Sequence, residues 1–376
     1  MQKVGQTVGQ TGGQTVGLVM IVKDEEAVIS RALASAIPYI DYWLIVDTGS
    51  TDNTKFIINT VMAGISGEII DRPWVNFGHN RTEALELCKG RMDWAIMLDA
   101  DDNLAGTVPP SSVWSNTTLD GFIVQIRHGS IIHQRVHIFR VASNWVYEGV
   151  VHEYPRCTRQ EKPVLGILPP ETFMETRCEG ARSRDPQKYL KDALILEAEL
   201  AKRPNDGRTL FYLAQSYRDA GRPVEALKYY KIHADLSGGA SWSQEAYMSL
   251  VNLIGLGSDP AEIMAYGWRA IELCPDRLEA SYFLMNRLRL LGHKPTQQLF
   301  ALGSVTKERK ASRASLFVNA AVYDWGFDDE FAVVAFATGH YNESYAASTR
   351  CAINAPVAEM RDNALKNLKI TQDLLK

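Results

Sequence analysis

The sequence predicts two folded parts in series: an α/β domain whose sheet starts parallel and becomes mixed, then an all-α domain of repeated helix pairs. Three observations predict it. Short apolar runs alternate with amphipathic helical stretches through the first hundred residues, the pattern of parallel strands joined by crossover helices. From Asp120 to Pro170, strand-like segments follow one another with no helix between them, which adds mixed pairing. Beyond about Arg184 strand patterns cease, and apolar and small residues recur in a frame of 34 to 37 residues.

Length and composition set the outer limits. A chain of 376 residues is long for one domain, so two or three are expected. Hydrophobic content of 46% and charged content of 22% place it among soluble globular chains rather than disordered or fibrous ones. A net charge of −4 supplies no basic field, so neither nucleic acid nor an anionic membrane is indicated as a partner. Cys88, Cys157, Cys178, Cys274 and Cys351 are scattered and form no CxxC pair. That argues against a disulfide framework or zinc ribbon, and for a reducing, cytoplasmic setting. Residues 1–16, rich in Gly, Gln and Thr, are expected to form a flexible tail; they have no apolar segment or cleavage-site pattern of a signal peptide. No apolar run approaches the roughly 20 residues that span a bilayer, so the sequon Asn116-Thr117-Thr118 reads as incidental.

In chain order, residues 17–22 read as a first buried strand ending in Lys23-Asp24-Glu25-Glu26, and residues 27–36 have helical apolar spacing. A second strand over 42–46 ends in the polar turn Asp47-Thr48-Gly49-Ser50-Thr51-Asp52-Asn53-Thr54. Several of those side chains can cap the helix expected over 55–63. A third strand is expected over 67–70, and an amphipathic helix over 80–89 stopped by Gly90. Residues 94–98 are an apolar run short enough for a strand buried on both faces, and it ends in Asp99-Ala100-Asp101-Asp102. Such strands deliver ligand-binding residues at their carboxyl ends. Asp99 and Asp101 suit a shared hard cation, Mg²⁺ or Mn²⁺; an Asp-rich turn that merely caps the next element is the plainer alternative. Residues 121–126, 135–140, 145–152 and 164–167 then read as successive strands, the last ended by Pro169-Pro170.

In the second half, Leu213-Ala214, Tyr217, Gly221, Ala226 and Tyr230 have the spacing of a helix–turn–helix unit. The frame recurs at Leu250-Val251 and Ile254, with Ala270 and Pro275, and again at Leu284-Met285, Leu288 and Gly292. A further copy is read at Gly339, Tyr341, Cys351 and Pro356. A period near 34 with small residues where helices cross resembles the tetratricopeptide repeat, with a generic helical bundle as the alternative. Stacked pairs make a groove suited to a peptide or another subunit, including a second copy of the chain. Phe211, Tyr212, Tyr217, Tyr229 and Tyr230 fall where plain repeat packing also needs aromatics, and packing is the preferred reading. Arg182-Ser183-Arg184-Asp185 reads as a solvated linker between the halves, with closure over a site in the first half as the second reading.

The first half carries a second resemblance. Residues 18–26 with Asp24-Glu25-Glu26, then Ile45-Val46-Asp47-Thr48-Gly49-Ser50-Thr51-Asp52, then Leu98-Asp99-Ala100-Asp101-Asp102 resemble, in order, the motifs of family 2 glycosyltransferases. The match extends through Phe77-Gly78-His79-Asn80-Arg81 and through Tyr147-Glu148-Gly149-Val150-Val151-His152-Glu153. Each motif is weak alone; the five in order are specific. These enzymes have the GT-A fold, and a subgroup carries tetratricopeptide-like repeats after the catalytic domain. The resemblance implies a GT-A domain over 17–180 and a helical repeat domain over 181–376. It also implies metal-dependent, inverting transfer of a sugar from a nucleotide-diphosphate sugar, a UDP-sugar, to a protein, peptide or glycan acceptor.

The residues fit that chemistry as follows. Asp47 can accept hydrogen bonds from a base, and by resemblance this position contacts the nucleobase; helix capping is the alternative. Asp24 and Glu25 are placed to hold the nucleoside, and which of them points inward is open. By resemblance Asp99 and Asp101 are the DxD pair, with Asp101 the direct metal ligand, Asp99 a ribose or metal contact, and Asp102 orienting them or the acceptor. Arg81 resembles the family arginine facing the sugar donor, where a guanidinium neutralises phosphate oxygens; a solvated residue at a helix start is the alternative. His152 is a candidate metal ligand or proton donor to the leaving diphosphate, and Glu153 the candidate general base, with Asp102 and Glu148 as rivals. Strand alternation puts Arg135 and His137 on one face and Arg140 on the other, one or both lining an acceptor channel. Two other functions compete: a repeat scaffold with a degenerate GT-A half, and nucleotidyl transfer. The intact carboxylates argue against the first. The absence of a glycine-rich phosphate loop after the first strand argues against the second.

Overall fold

The computed structural model describes residues 14–108, 117–236, 243–310 and 317–375. Most of the N-terminal tract read as a tail, and Asn116 of the sequon, lie outside the described residues. The chain divides into two compact units: Met1–His128 with Gln134–Pro186, and Gly129–His133 with Gln187–Lys376.

The first unit is built on β1 (Val16–Val22), β2 (Tyr42–Asp47), β3 (Ser66–Asp71) and β4 (Trp94–Met97), with helices α1 (Ile29–Ala36), α2 (Thr54–Val61) and α3 (Phe77–Leu87) between them. It continues through β5 (Asp102–Gly106), β6 (Gly121–His128), residues 134–140 of β7 (Ile131–Arg140), β8 (Trp145–Glu148), β9 (Tyr154–Cys157), β10 (Leu165–Ile167) and β11 (Thr172–Thr176). The sheet runs β3-β2-β1-β4-β7-β6-β11-β5. The first four strands are parallel, β4 pairs antiparallel with β7, and β11 joins β6 in parallel and β5 antiparallel. This is the mixed-sheet α/β architecture the sequence predicts.

Why β1 and β4 are apolar throughout follows from their two covered faces. Leu18, Met20 and Val22 of β1, with Trp94 and Ile96 of β4, pack into a core with Ile29, Ala32 and Leu33 of α1. The alternate residues Val19, Ile21, Ala95 and Met97 pack into a second core with Ala84 and Leu85 of α3, Phe139 and Tyr147. Side chains alternate across a strand, so a central strand needs apolar residues at every position.

Two departures matter for the site. Residues 145–152 are not one strand: β8 stops at Glu148, Gly149 turns with φ +105°, His152 sits at φ +54°, and β9 returns antiparallel. His152 and Glu153 therefore belong to a hairpin loop. Asp102 is not the tail of a turn but the first residue of β5, a strand whose short, mixed composition gives no alternation to read.

The second unit is helical: α4 (Lys188–Lys202), α5 (Gly207–Asp219), α6 (Pro223–Leu236), α7 (Ser243–Leu256), α8 (Pro260–Leu273), α9 (Glu279–Leu290), α10 (Gln297–Thr306), α11 (Phe327–Ala337), α12 (Tyr341–Asn354) and α13 (Ala358–Leu374). Gly221, Gly292 and Gly339 follow α5, α9 and α11 with φ of +70°, +76° and +81°, the left-handed conformation that ends a helix and that glycine adopts without strain. The repeated positions Leu213, Ala214, Tyr230, Leu250, Ile254, Ala270, Leu284 and Cys351 are buried, so the period records packing. Tyr217 stacks on Tyr229 with centroids 5.8 Å apart. Among the described residues no helix is long and apolar enough to cross a membrane.

Candidate active site

β1, β2 and β4 are parallel neighbours, so their carboxyl ends open on one side of the sheet. Asp24 leaves β1 at φ +54°, a conformation secured by its N–H donating to Ser50 Oγ (3.0 Å) and its Oδ1 accepting from the Thr51 N–H (2.7 Å). The Asp24 carboxylate thus ties the β1 loop to the β2 loop. Glu25, the next residue, turns toward Asp101 instead: oxygens of both side chains come within 3.2 Å of the position a Cβ on Gly180 would take. Of the pair, Glu25 faces the acidic cluster.

Asp47, at the end of β2, is fully buried. Its Oδ1 accepts from the N–H groups of Gly49 (2.9 Å) and Ser50 (2.8 Å), while Oδ2 is buried with no hydrogen-bond partner. Lys55 Nζ is 3.7 Å from Oδ1. The start of α2 is served by Asp52, whose Oδ1 accepts from the Thr54 N–H (2.9 Å), so Asp47 is not its cap. A buried, unpartnered carboxylate oxygen is costly and calls for an explanation.

At the end of β4 the charges are layered. Arg81 lies in α3, whose first turn is capped by Asn76 accepting from the His79 N–H (2.8 Å). Gly78 lets this turn press onto the β8–β9 loop, because a Cβ there would run into the Gly149 carbonyl oxygen. The Tyr147 N–H donates to Thr82 Oγ1 (2.8 Å) across the same contact. Arg81 is thereby buried between Asp99, with which it forms an ion pair, and Glu153, whose Oε1 is 2.8 Å from its Nε. Burial opposes the guanidinium charge, but Asp99 and Glu153 more than offset it and hold the group protonated. Burial likewise pushes Asp99 up, and Arg81 overrides it, keeping the carboxyl below its usual range.

Asp102 has no such partner. Burial, then the charges of Asp99 and Asp101, push it well above the usual carboxylate range, and its Oδ1 is buried without a hydrogen bond. Its charged form is therefore the disfavoured one. Burial and the Arg135 charge depress His137 to about 3, so its imidazole is neutral, and Nδ1 donates to the Met97 carbonyl (3.0 Å). Arg135 donates to the Glu153 carbonyl (3.0 Å). Arg140, on the other face of β7, donates from Nε to the Leu119 carbonyl (2.8 Å) and lies 5.0 Å from the Trp94 ring centroid. Only the Arg135–His137 face adjoins the site.

The segment after β11 closes this region. Gly180 N–H donates to Asp101 Oδ2 (3.0 Å) and Ala181 N–H to Glu25 Oε2 (2.9 Å). Burial raises Glu25 to about 7 even with that bond, and the Asp101 charge adds to the rise. Gly180 and Ala181 are therefore engaged with the site, while Glu179 and Arg184 stay exposed. No side-chain signal could have revealed this, since both donors are backbone amides.

The structure brings together Glu25, Arg81, Asp99, Asp101, Asp102 and Glu153. It sets Asp24 against the β2 loop and His152, half-buried, in the β8–β9 loop. Among the described residues no group of three His, Cys, Asp or Glu side chains is poised to hold a metal ion. The chemistry of the donor set nevertheless suits a hard cation, with the oxygens of Asp101 and Glu25 already convergent.

Residues 18–109 match the family model described as Glycosyl transferase family 2. Over these residues the first unit is similar to family 2 glycosyltransferases. The matched segment takes in Asp24, Glu25, Asp47, Arg81, Asp99, Asp101 and Asp102, while His152 and Glu153 lie beyond it. An uncharacterized glycosyltransferase of Rickettsia typhi is 33% identical over 90 residues, 24% of this chain and 29% of that protein. A TPR repeat-containing protein of Synechococcus elongatus is 36% identical over 90 residues, 24% of this chain and 21% of that protein. The chain thus matches less than a third of the length of these curated relatives. Among solved structures, S. aureus TarS 1–349 in complex with UDP-GlcNAc aligns with a TM-score of 0.35 at 12% identity, covering 80% of this chain and 95% of that one.

Proposed function

We propose that the chain is a metal-dependent, inverting glycosyltransferase that moves a sugar from a uridine-diphosphate sugar, the donor its family resemblance implies, to a protein, peptide or glycan acceptor. The observation that carries this reading is the buried Arg81, shared between Asp99 and Glu153 where β4 ends. A diphosphate is a stronger, bidentate partner for a guanidinium than either carboxylate is alone. Arrival of the sugar donor draws Arg81 onto phosphate oxygens and frees Glu153.

Glu153 then takes the proton of the acceptor hydroxyl as its oxygen attacks the anomeric carbon. The new carbon–oxygen bond forms on the face opposite the old one, and the nucleoside diphosphate leaves with the electron pair. Asp102, whose charged form burial and the neighbouring Asp99 and Asp101 disfavour, is the less suited to be that base. Asp47 Oδ2, spare and buried, accepts from the imide N–H of the base once the turn at 47–50 gives way to admit it. Asp99 takes the ribose after Arg81 leaves it, and Asp24 keeps the β1 and β2 loops in register around the nucleoside. Asp101 and Glu25 would hold a Mn²⁺ or Mg²⁺ ion, with Asp99 and His152 completing the set. When bound, the ion neutralises charge on the leaving diphosphate. The tetratricopeptide-like helix pairs serve as the binding surface for a polypeptide partner or acceptor.

The test is thermal stability against a panel of nucleotide-diphosphate sugars, with Mn²⁺ or with EDTA, since a bound ligand stabilises the fold by mass action. A uridine-diphosphate sugar with Mn²⁺ is expected to raise Tm, and Asp101→Asn to abolish the metal-dependent part. No stabilisation by any nucleotide sugar under any metal would sink the reading.

A further inference from the structure

The segment 179–184 makes more directed contacts with the site than a connector needs. Glu179 pairs with Arg31 (2.8 Å), Gly180 N–H with Asp101, Ala181 N–H with Glu25, and Arg184 Nη2 with the Asp24 carbonyl (3.2 Å). The Arg182 guanidinium lies 4.6 Å from the Phe77 ring centroid at the start of α3. One short stretch thus reaches the carboxyl ends of β1 and β4 and the first turn of α3.

Its two central bonds are charge-assisted, backbone N–H to carboxylate. They fall on the same oxygens that the reading above assigns to a cation. Gly180 is placed where a side chain would crowd them: a Cβ would stand 3.2 Å from Asp101 Oδ2 and from both Glu25 oxygens. The strap backbone therefore stands on the point where these carboxylates converge. A second observation marks the pocket as incomplete, since the neighbouring Asp102 Oδ1 is buried without a hydrogen-bond partner.

We propose that residues 179–184 form a latch that substitutes for the cation, so that docking of the strap and entry of a divalent ion at Asp101 and Glu25 exclude one another. The strap supplies the positive ends of two amide dipoles to an acidic site that would otherwise face itself. Cation binding removes the need for them and releases the segment, exposing both carboxylates to the sugar donor. The proposal rests on the metal-dependent reading, and its test separates the two.

Amide exchange across 179–184 would be measured by mass spectrometry in EDTA and with Mn²⁺ alone. Mn²⁺ affinity would be measured by calorimetry for the wild type, Ala181→Pro and Arg31→Ala. Ala181 is the first residue of a short helical turn, where proline fits, and Gly180 before it has the extended backbone (φ −61°, ψ 168°) that a following proline requires, so Ala181→Pro removes the donor to Glu25. Arg31→Ala loosens the strap from outside the acidic site and serves if Ala181→Pro folds poorly. Mn²⁺ alone is expected to speed exchange in the strap at least about tenfold, and Ala181→Pro to bind Mn²⁺ about tenfold tighter, with a smaller gain for Arg31→Ala. Mn²⁺ binding with unchanged exchange and equal affinity in the variants overturns the latch and leaves metal dependence standing. No Mn²⁺ binding by any of the three overturns latch and cation together. Nucleotide-sugar binding in EDTA, read on the same samples, then reports separately on the glycosyltransferase reading.

Discussion

Arg81 in the α/β unit and Arg277 in the helical unit are both buried against carboxylates, 7% and 0% exposed, but their surroundings are finished to different degrees. Arg277 makes a two-point pair with Glu279 (2.8 and 3.1 Å), donates to Gln244 Oε1 (2.9 Å), and lies 4.4 Å from the Tyr247 ring centroid. Glu279 also accepts from Tyr323 Oη (2.7 Å) and the Asn319 N–H (3.2 Å). Around Arg81, by contrast, the guanidinium is divided between two carboxylates, its Nε contact to Glu153 is off the line of a hydrogen bond, and Asp102, within reach of its charge, keeps an oxygen unpartnered. The Arg277 guanidinium and the Glu279 carboxylate are fully partnered, which specifies how these helices pack, although Asn319 Oδ1 in the same network is buried without a partner. An unsaturated ion pair in an equally buried place is completed by something that arrives.

The sharpest way to break this contrast is to treat the two sites alike. Glu153→Gln is expected to lower kcat by about 100- to 10,000-fold, the range for loss of a general base, while leaving the melting temperature nearly unchanged. Unfolding of that variant, with activity per folded molecule retained, would put Glu153 in the same structural class as Glu279. Next, Arg277→Ala strands Glu279 in the interior and should cost about 3–5 kcal/mol in urea unfolding, with sugar-donor binding by the surviving folded fraction unaltered. Gly78→Ala comes third. Forcing a methyl against the Gly149 carbonyl is expected to cost about 1–3 kcal/mol and to weaken donor binding as well, because the turn it displaces positions Arg81.

The smallest effect concerns acid. Burial depresses His233 to about 4, and its Nδ1 lies 2.8 Å from Ser249 Oγ. In the unfolded chain the ring titrates near 6.5, so between about pH 6.5 and 4 the unfolded state binds the extra proton and stability falls as pH falls. His233→Gln should flatten that dependence by up to about 1.4 kcal/mol per pH unit, read from urea unfolding at several pH values. An unchanged slope would mean that His233 is not held neutral by the helical core.

What could be read from the sequence follows the reach of each determinant. β1 and β4 were legible because two covered faces require Leu18 through Val22 and Trp94 through Met97 to be apolar in unbroken runs. The repeats were legible because Gly221, Gly292 and Gly339 end helices locally. β5 and β11 were not, since their register is set by each other across a long stretch of chain and neither alternates cleanly. The turn at Gly149 hid among residues with strand preference. Which of Asp24 and Glu25 faces the acidic cluster depended on one backbone angle, and the upward shift of Asp102 on burial and on charges brought to it by folding.

The position of β11 in the sheet has a consequence for how the protein is made. β11 lies between β6 and β5, and Thr176 pairs with Asp102, so the edge strand carrying Asp102 has no neighbour until the final strand of the unit is available. On a growing chain, the residues that seat the acidic cluster emerge last, with Gly180 and Ala181 directly behind them. Each helix pair of the other unit closes on its near neighbour as soon as it appears. The α/β unit must instead wait, its central apolar strands formed and one edge open, which makes it the slower-folding and more aggregation-exposed part of the newborn chain.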